Sequence, residues 1–314
     1  MKGILYGFLL FGVLFFLAGC SENAGQPNDD DSNYTIKTTI YPIQYIVERL
    51  GGNAINAQTI YPPGSDAHSY EPTSKEITEI ANSDTFIYLG EELETFASTT
   101  ADALKSENVQ LIELAGHEEL FDQSTDNKSG HDHSHANHSH SDHDPHIWLD
   151  PMRMLTMAEI ISGELTNLAP ELEQSIETNL SELKDDLQAL DKEFKTKVAS
   201  KQHKEILVSH AAYGYWEQRY GIEQIAINGI SNSSEPSQQD LIRIIDQARE
   251  LNMEYIIFEQ NVSNNVSKEI QKELNATPLT IHNLAVLTET NIEEGHDYLS
   301  LMEENIEVLD KATH

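Results

Sequence analysis

The sequence predicts an α/β protein of two similar units, each a mainly parallel sheet flanked by helices, with one long helix between them. Three observations carry this expectation. Short β-rich runs alternate with helical ones in both halves, the pattern of βαβ units. From Leu172 to Val198, apolar residues recur at three- and four-residue steps. The chain has 314 residues, 39% of them hydrophobic, which suits about two domains with their own cores.

In the first half, strands are expected near residues 35–40, 57–61, 85–89 and 109–114. Helices are expected over 43–50, stopped by Gly51-Gly52, then from a cap at Thr73 or Ser74 to about Asn82, and over 91–106. In the second half, strands are expected near 205–209, 223–227, 255–258 and 278–282. The helices there fall at 212–220, at 238–251 after a Ser237 cap, at 264–274, and in a closing helix over 294–312. Asp150 as N-cap with Pro151 behind it starts a helix to Leu168. The run after Pro170 is about 30 residues, or roughly 45 Å of helix at 1.5 Å per residue. A coiled coil is the competing account, but a single strut along both α/β units is the simpler one.

Lys and Arg total 19 against 53 Asp and Glu, a net charge of −34. This excludes a phosphate-binding nucleic-acid partner, which needs clustered cations, and adsorption to an anionic membrane through a basic patch. The lone cysteine, Cys20, excludes an intramolecular disulfide and a multi-Cys metal site. It follows Met1-Lys2, an apolar run from Ile4 to Leu17, and Leu17-Ala18-Gly19. That order fits a signal peptide ending in a lipobox, with Cys20 lipidated and the protein held at the outer face of a membrane. Residues 21–33 read as a flexible polar tether.

Six of the 14 histidines fall in one segment, at His131, His133, His135, His138, His140 and His143. Its other residues are small or polar, so it reads as a loop that gathers Zn²⁺-like ions weakly. A pH-sensitive charged segment or a purification tag are the alternatives, and a tag belongs at a terminus. Three more histidines sit where ligands bind in open α/β sheets, beyond strands or at loop-to-helix junctions. They are His68 in Pro62–Pro72, His146 in Asp144–Pro151, and His210 at the end of the run 206–209. Singly each could be a packed or capping histidine. Together they make a borderline-soft set that favours Zn²⁺ over Mn²⁺ or Mg²⁺.

The lipobox, His-X-X-Glu-Pro-Thr (68–73), the His loop, Asp-Pro-His-Ile-Trp-Leu-Asp-Pro (144–151) and Ser-His-Ala-Ala-Tyr-Gly-Tyr (209–215) occur together. This set resembles the zinc-specific solute-binding lipoproteins of ABC importers, the ZnuA/AdcA type, over essentially the whole mature chain. The resemblance implies two Rossmann-like lobes joined by a long rigid linker helix, with metal in the interlobe cleft. It divides the chain into a signal peptide (1–19), lipidated cysteine and tether (20–33), N-terminal lobe (34–169, His-rich loop about 117–143), linker helix (170–202) and C-terminal lobe (203–314). It implies His68, His146 and His210 as ligands of Zn²⁺, carried as cargo, and a histidine at the third place points away from the manganese relatives, which have Glu there.

Many relatives take a fourth, carboxylate ligand about 75 residues after the third; here that place is Ala285, which cannot coordinate. Water, a His-loop residue or, with a shifted register, Glu289 would complete the set. Glu71, Asp66 and Glu259 are candidate acceptors for ligand N–H groups. The implied partners are zinc ions and the permease and ATPase subunits of an ABC importer. No nucleic acid is involved, and a monomer is expected. Deleting residues 130–143 should lower zinc stoichiometry and leave the cleft site intact. The alternatives are a receptor for Mn(II) or another divalent metal, an adhesin-like surface lipoprotein, and a three-histidine zinc hydrolase. Against the last, the chain has neither His-Glu-X-X-His nor His-X-X-Glu-His.

Overall fold

The computed structural model describes residues 34–121, 143–230, 236–261 and 265–314. The first unit runs β1 (Tyr34–Thr38), α1 (Tyr41–Gly51), β2 (Ile55–Thr59), α2 (Ser74–Ala81), β3 (Thr85–Tyr88), α3 (Ala97–Leu104) and β4 (Gln110–Glu113). Two helices follow, α4 (Pro151–Leu168) and α5 (Glu173–Ala199). The second unit is β5 (Glu205–Val208), α6 (Gly214–Tyr220), β6 (Glu223–Ala226), α7 (Gln238–Glu250), β7 (Tyr255–Glu259), α8 (Asn265–Leu274), β8 (Thr277–Ile281), α9 (Glu289–Glu294) and α10 (Tyr298–Ala312).

Each unit holds a four-stranded, all-parallel sheet, ordered β2-β1-β3-β4 and β6-β5-β7-β8. The winding therefore reverses between β1 and β3 in one sheet and between β5 and β7 in the other. Ligands of open parallel sheets bind beyond the carboxyl ends of strands at such reversals. The fold is the expected two-lobed α/β architecture with a long helix between the sheets.

Local chemistry explains most element starts. Thr73 with Glu76 and Ser237 with Asp240 form reciprocal capping boxes at α2 and α7. Asp150 accepts the Met152 and Arg153 N–H groups ahead of Pro151. The long helix α5 has 27 residues, about 40 Å at 1.5 Å each, after a 3₁₀ turn at Pro170–Leu172. Its buried stripe includes Ile176, Leu183, Leu187, Leu190, Phe194 and Val198, and α1, α4 and α10 of the same chain pack against it.

Two expected helices differ. The segment after Gly90 turns instead of coiling, and helix begins only at Ala97. Gly90 adopts φ 145°, and Glu94 folds back so that its carboxylate accepts the Leu89 and Gly90 N–H groups at 3.0 and 3.3 Å. The closing helix, expected from residue 294, begins at Tyr298, because Gly295 takes the left-handed conformation (φ 73°) as the C-cap of the preceding α9 and Asp297 caps α10 anew.

One apolar cluster runs through α1, α4, α5, α6 and α10 and both sheets, while a smaller one lies between β5–β7, α7 and α8. Buried charges tie the same elements together. Asp150, 2% exposed, accepts Arg219 Nε at 2.6 Å, and Arg219 also approaches Asp191 of α5 at 3.9 Å. Breaking such a buried pair leaves an uncompensated charge at a cost of about 3–5 kcal/mol. Among the described residues no helix is long and apolar enough to cross a membrane.

Candidate metal centre

Three histidines from separate stretches converge. His68 lies in the loop after β2, His146 on the 3₁₀ turn leading into α4, and His210 two residues beyond β5. Their ring centroids are 5.3, 5.3 and 4.9 Å apart, pairwise. One nitrogen from each lies within 4.8 Å of the others, and this is the one such group of His, Cys, Asp or Glu among the described residues. His68 Nε2 and His146 Nε2 are 3.3 Å apart. A tetrahedral zinc site with Zn–N bonds of about 2.0–2.1 Å has N···N edges of about 3.3–3.4 Å.

Carboxylates set the orientation of two rings. Asp144 Oδ1 accepts both the backbone N–H of His146 at 3.0 Å and its ring Nδ1–H at 2.6 Å. That fixes the proton on Nδ1 and turns the Nε2 lone pair toward His68. The carbonyl of Asp144 accepts the Tyr215 hydroxyl at 2.6 Å, and a Cβ on Gly214 would stand 2.8 Å from Asp144 Oδ2. A glycine at this place lets α6 approach Asp144 closely. Glu259, the last residue of β7, accepts His210 Nδ1–H at 2.7 Å, and its other oxygen accepts the Asn283 amide at 2.8 Å. The His210–Glu259 pair thus occupies the β5/β7 reversal point, as the topology directs.

The charges follow from this geometry. Burial, then the neighbouring His146 and His210, push the His68 imidazole down to about 3. Burial also acts to lower His210, but the hydrogen bond and charge of Glu259 outweigh it and its pKa is raised. Burial acts to raise Glu259, yet the hydrogen bonds from His210 and Asn283 hold it below the usual carboxylate range. On its far side, His210 Nε2 faces the Ile230 carbonyl oxygen at 2.6 Å. A cation entering among the three rings takes the place of the Nε2 proton on His210.

The other sequence candidates fall elsewhere. Asp66 Oδ1 accepts the backbone N–H of His68 at 3.0 Å, not a ring N–H, so it shapes the loop. Glu71 is exposed, and among the described residues no hydrogen bond ties it to a ring of the cluster. Glu289 is the exposed first residue of α9 and does not join the group. Ala285 is buried, and its carbonyl accepts the Tyr41 N–H at 2.8 Å. The preceding Leu284 has φ 60°. His143 is exposed and stacks on Phe121 at 5.1 Å, outside the cluster. Cys20, His131, His133, His135, His138 and His140 lie outside the described residues. Sequence reasoning missed Asp144 and Ile230. The spacing Asp144-Pro145-His146 was a usable signal for the first; the Ile230 carbonyl had none.

Two α/β lobes that bring three imidazoles together, two of them oriented by carboxylates, define a metal-binding protein of the solute-receptor kind. The sequence model of the family described as zinc-uptake complex component A, periplasmic, matches residues 36–312, and the chain belongs to that family of substrate-binding transport proteins. The zinc-binding lipoprotein AdcA of Streptococcus pneumoniae is 31% identical over 298 residues, covering 95% of this chain and 58% of that protein. The high-affinity zinc uptake system protein ZnuA of Bacillus subtilis is 27% identical over 306 residues, 96% of this chain and 95% of that one. The crystal structure of Zn(II)-bound AdcA from Streptococcus pneumoniae superimposes with a TM-score of 0.73 at 29% identity, covering 89% of this chain and 57% of that chain.

Proposed function

We propose that the chain is an extracytoplasmic zinc receptor that captures Zn²⁺ and delivers it to the permease and ATPase of an ABC importer. The observation that carries this reading is the convergence of His68, His146 and His210, with Asp144 and Glu259 fixing two of the rings. Neutral imidazole nitrogens suit Zn²⁺, whereas Mn²⁺ prefers carboxylate and water. The three histidines are assigned as the protein ligands, the fourth position falling to water or the nearby Ile230 carbonyl. The reading includes an anchor at Cys20 on the outer face of the membrane, a monomeric state, and the division into lobes 34–169 and 203–314 about the linker 170–202. The segment around His131–His143 acts as an auxiliary collector. No catalytic role is assigned, in keeping with a family of substrate-binding transport proteins.

The test is a titration of the metal-stripped chain with Zn²⁺ and Mn²⁺ against a competing chelator, beside His210→Ala. One tight zinc site, lost in His210→Ala, with weaker extra sites and poor Mn²⁺ binding, is expected. Weak binding indifferent to His210 would overturn the assignment.

A further inference from the structure

Away from the three histidines, a cavity of about 490 Å³ straddles the seam between the lobes. One wall is a face of α1 with the end of β2; the other is the segment 286–297 of the second lobe. Backbone hydrogen bonds from Tyr41 N–H to Ala285 O (2.8 Å) and from Gly64 N–H to Leu287 O (2.9 Å) hold the walls together. The volume lies within the about 300–1,000 Å³ of small-molecule sites. Three tyrosines, Tyr41, Tyr45 and Tyr61, face it, and all are at most 6% exposed, so their rings are fixed walls. On the opposite side Ile292 is 55% exposed, an apolar side chain left open at the rim.

The polar lining holds two carboxylates, Glu48 and Asp297, with Arg49 and with His296, whose ring lies against Glu294 and Glu304 at 3.4 and 3.2 Å. Glu48 accepts the Gln44 amide at 2.7 Å and Asp297 caps α10; among the described residues neither pairs with a lysine or arginine. Arg49 is neutralised by Asp186 at 2.7 Å, and its guanidinium lies 5.6 Å from the centroid of the Tyr45 ring. The wall therefore already holds one organic cation at the Tyr45 hydroxyl, to which Arg49 donates at 2.7 Å, beside a carboxylate. The field of the unpaired carboxylates reaches inward: after burial, Asp297 and Glu48 are the main causes that raise the Tyr41 hydroxyl.

We propose that this seam cavity is a second ligand site, for a small organic cation with an ammonium or guanidinium group on an apolar stem. The stem lies along Ile292 and Leu287, and the cationic head meets the tyrosine faces and Glu48. Fixed aromatic walls with carboxylates set beside them recognise such a group by cation–π attraction and by charge. Anions are repelled by the same carboxylates. The site is independent of the zinc reading, because none of its lining residues is one of the three histidines.

The test is ligand-observed NMR titration of the purified zinc-loaded chain with phenethylamine, 2-phenylethanol and 3-phenylpropionate, which share a stem and differ in charge. Saturable binding of the amine, about fivefold or more tighter than the alcohol and with the acid weakest, is expected. Glu48→Gln should bring the amine down to the alcohol, and Ile292→Ser should weaken both; both positions are exposed, so the fold is kept. A metal-free His210→Ala chain should bind the amine unchanged, which separates this site from the zinc site. Absence of saturable amine binding, equal binding of amine and acid, an unchanged Glu48→Gln, or loss of amine binding in His210→Ala would each overturn the proposal.

Discussion

Glu94 offers a perturbation whose size can be worked from the structure. It is fully buried, and among the described residues no lysine or arginine pairs with it. Its carboxylate accepts the Leu89 and Gly90 N–H groups, and the Tyr61 hydroxyl lies 3.5 Å from Oε1 and 3.4 Å from the carbonyl of Ala67, next to His68. Burial, partly offset by these hydrogen bonds, pushes its pKa from the ordinary 4.5 to about 7. The folded state thus keeps a proton that the unfolded chain releases. The protonated form's stability is fully present below pH 4.5 and is lost as pH rises through about 7. Two and a half pH units at 1.36 kcal/mol each give about 3 kcal/mol. Glu94→Gln imitates the protonated carboxyl and removes that loss. In urea unfolding of the metal-free chain from pH 5 to 8, the variant should gain on the parent by about 2.5 kcal/mol, since part of the difference is already present at pH 5, the gap saturating above pH 7. Differencing the two proteins cancels the histidines that titrate in the same window. A gap that stays flat across that range, or one that closes, would refute the reasoning.

Two other substitutions bear on the metal centre. Asp144→Ala removes the acceptor that orients His146, and a chelator competition should show zinc binding weakened about 10- to 100-fold with stoichiometry unchanged; equal affinity would mean that the ring is set by packing on Trp148 alone. Ala285→Glu puts a carboxylate at the place where the family resemblance implies a fourth ligand, and tighter zinc binding by about tenfold, roughly 1.4 kcal/mol, is expected. An unchanged affinity would show that position 285 does not face the metal.

Much of the fold was legible because its signals are local. Thr73, Asp150 and Ser237 cap helices within three residues of themselves, and the apolar stripe of α5 needs no partner to be seen. The errors arose where a side chain reached back on its own backbone. Glu94 delayed the start of an expected helix to Ala97 by bonding to residues four and five positions earlier. Asp66, expected to steady a ring, spends its oxygen on a backbone N–H two residues ahead. At the metal centre the three histidines stood in recognisable motifs. Glu259, a candidate acceptor in the sequence, reaches His210 from 49 positions away across the β5/β7 pairing, while the Ile230 carbonyl reaches it from 20 positions away across β5/β6, a contact with no local signal.

The last helix described has a bearing on how the protein comes into being. Tyr298 stacks on Tyr45 of α1 at 5.5 Å and donates its hydroxyl to the carbonyl of Trp148, two residues past His146. Ile306 and Leu309 share one cluster with Phe194 and Val198. As the chain emerges, its first half can assemble a sheet but not seal it, because the covering for α5 arrives about a hundred residues later. Until then the ribosome holds an unfinished core, with apolar surface open to chaperones. The place beside His146 acquires its final backing only once residues 298–312 have been made.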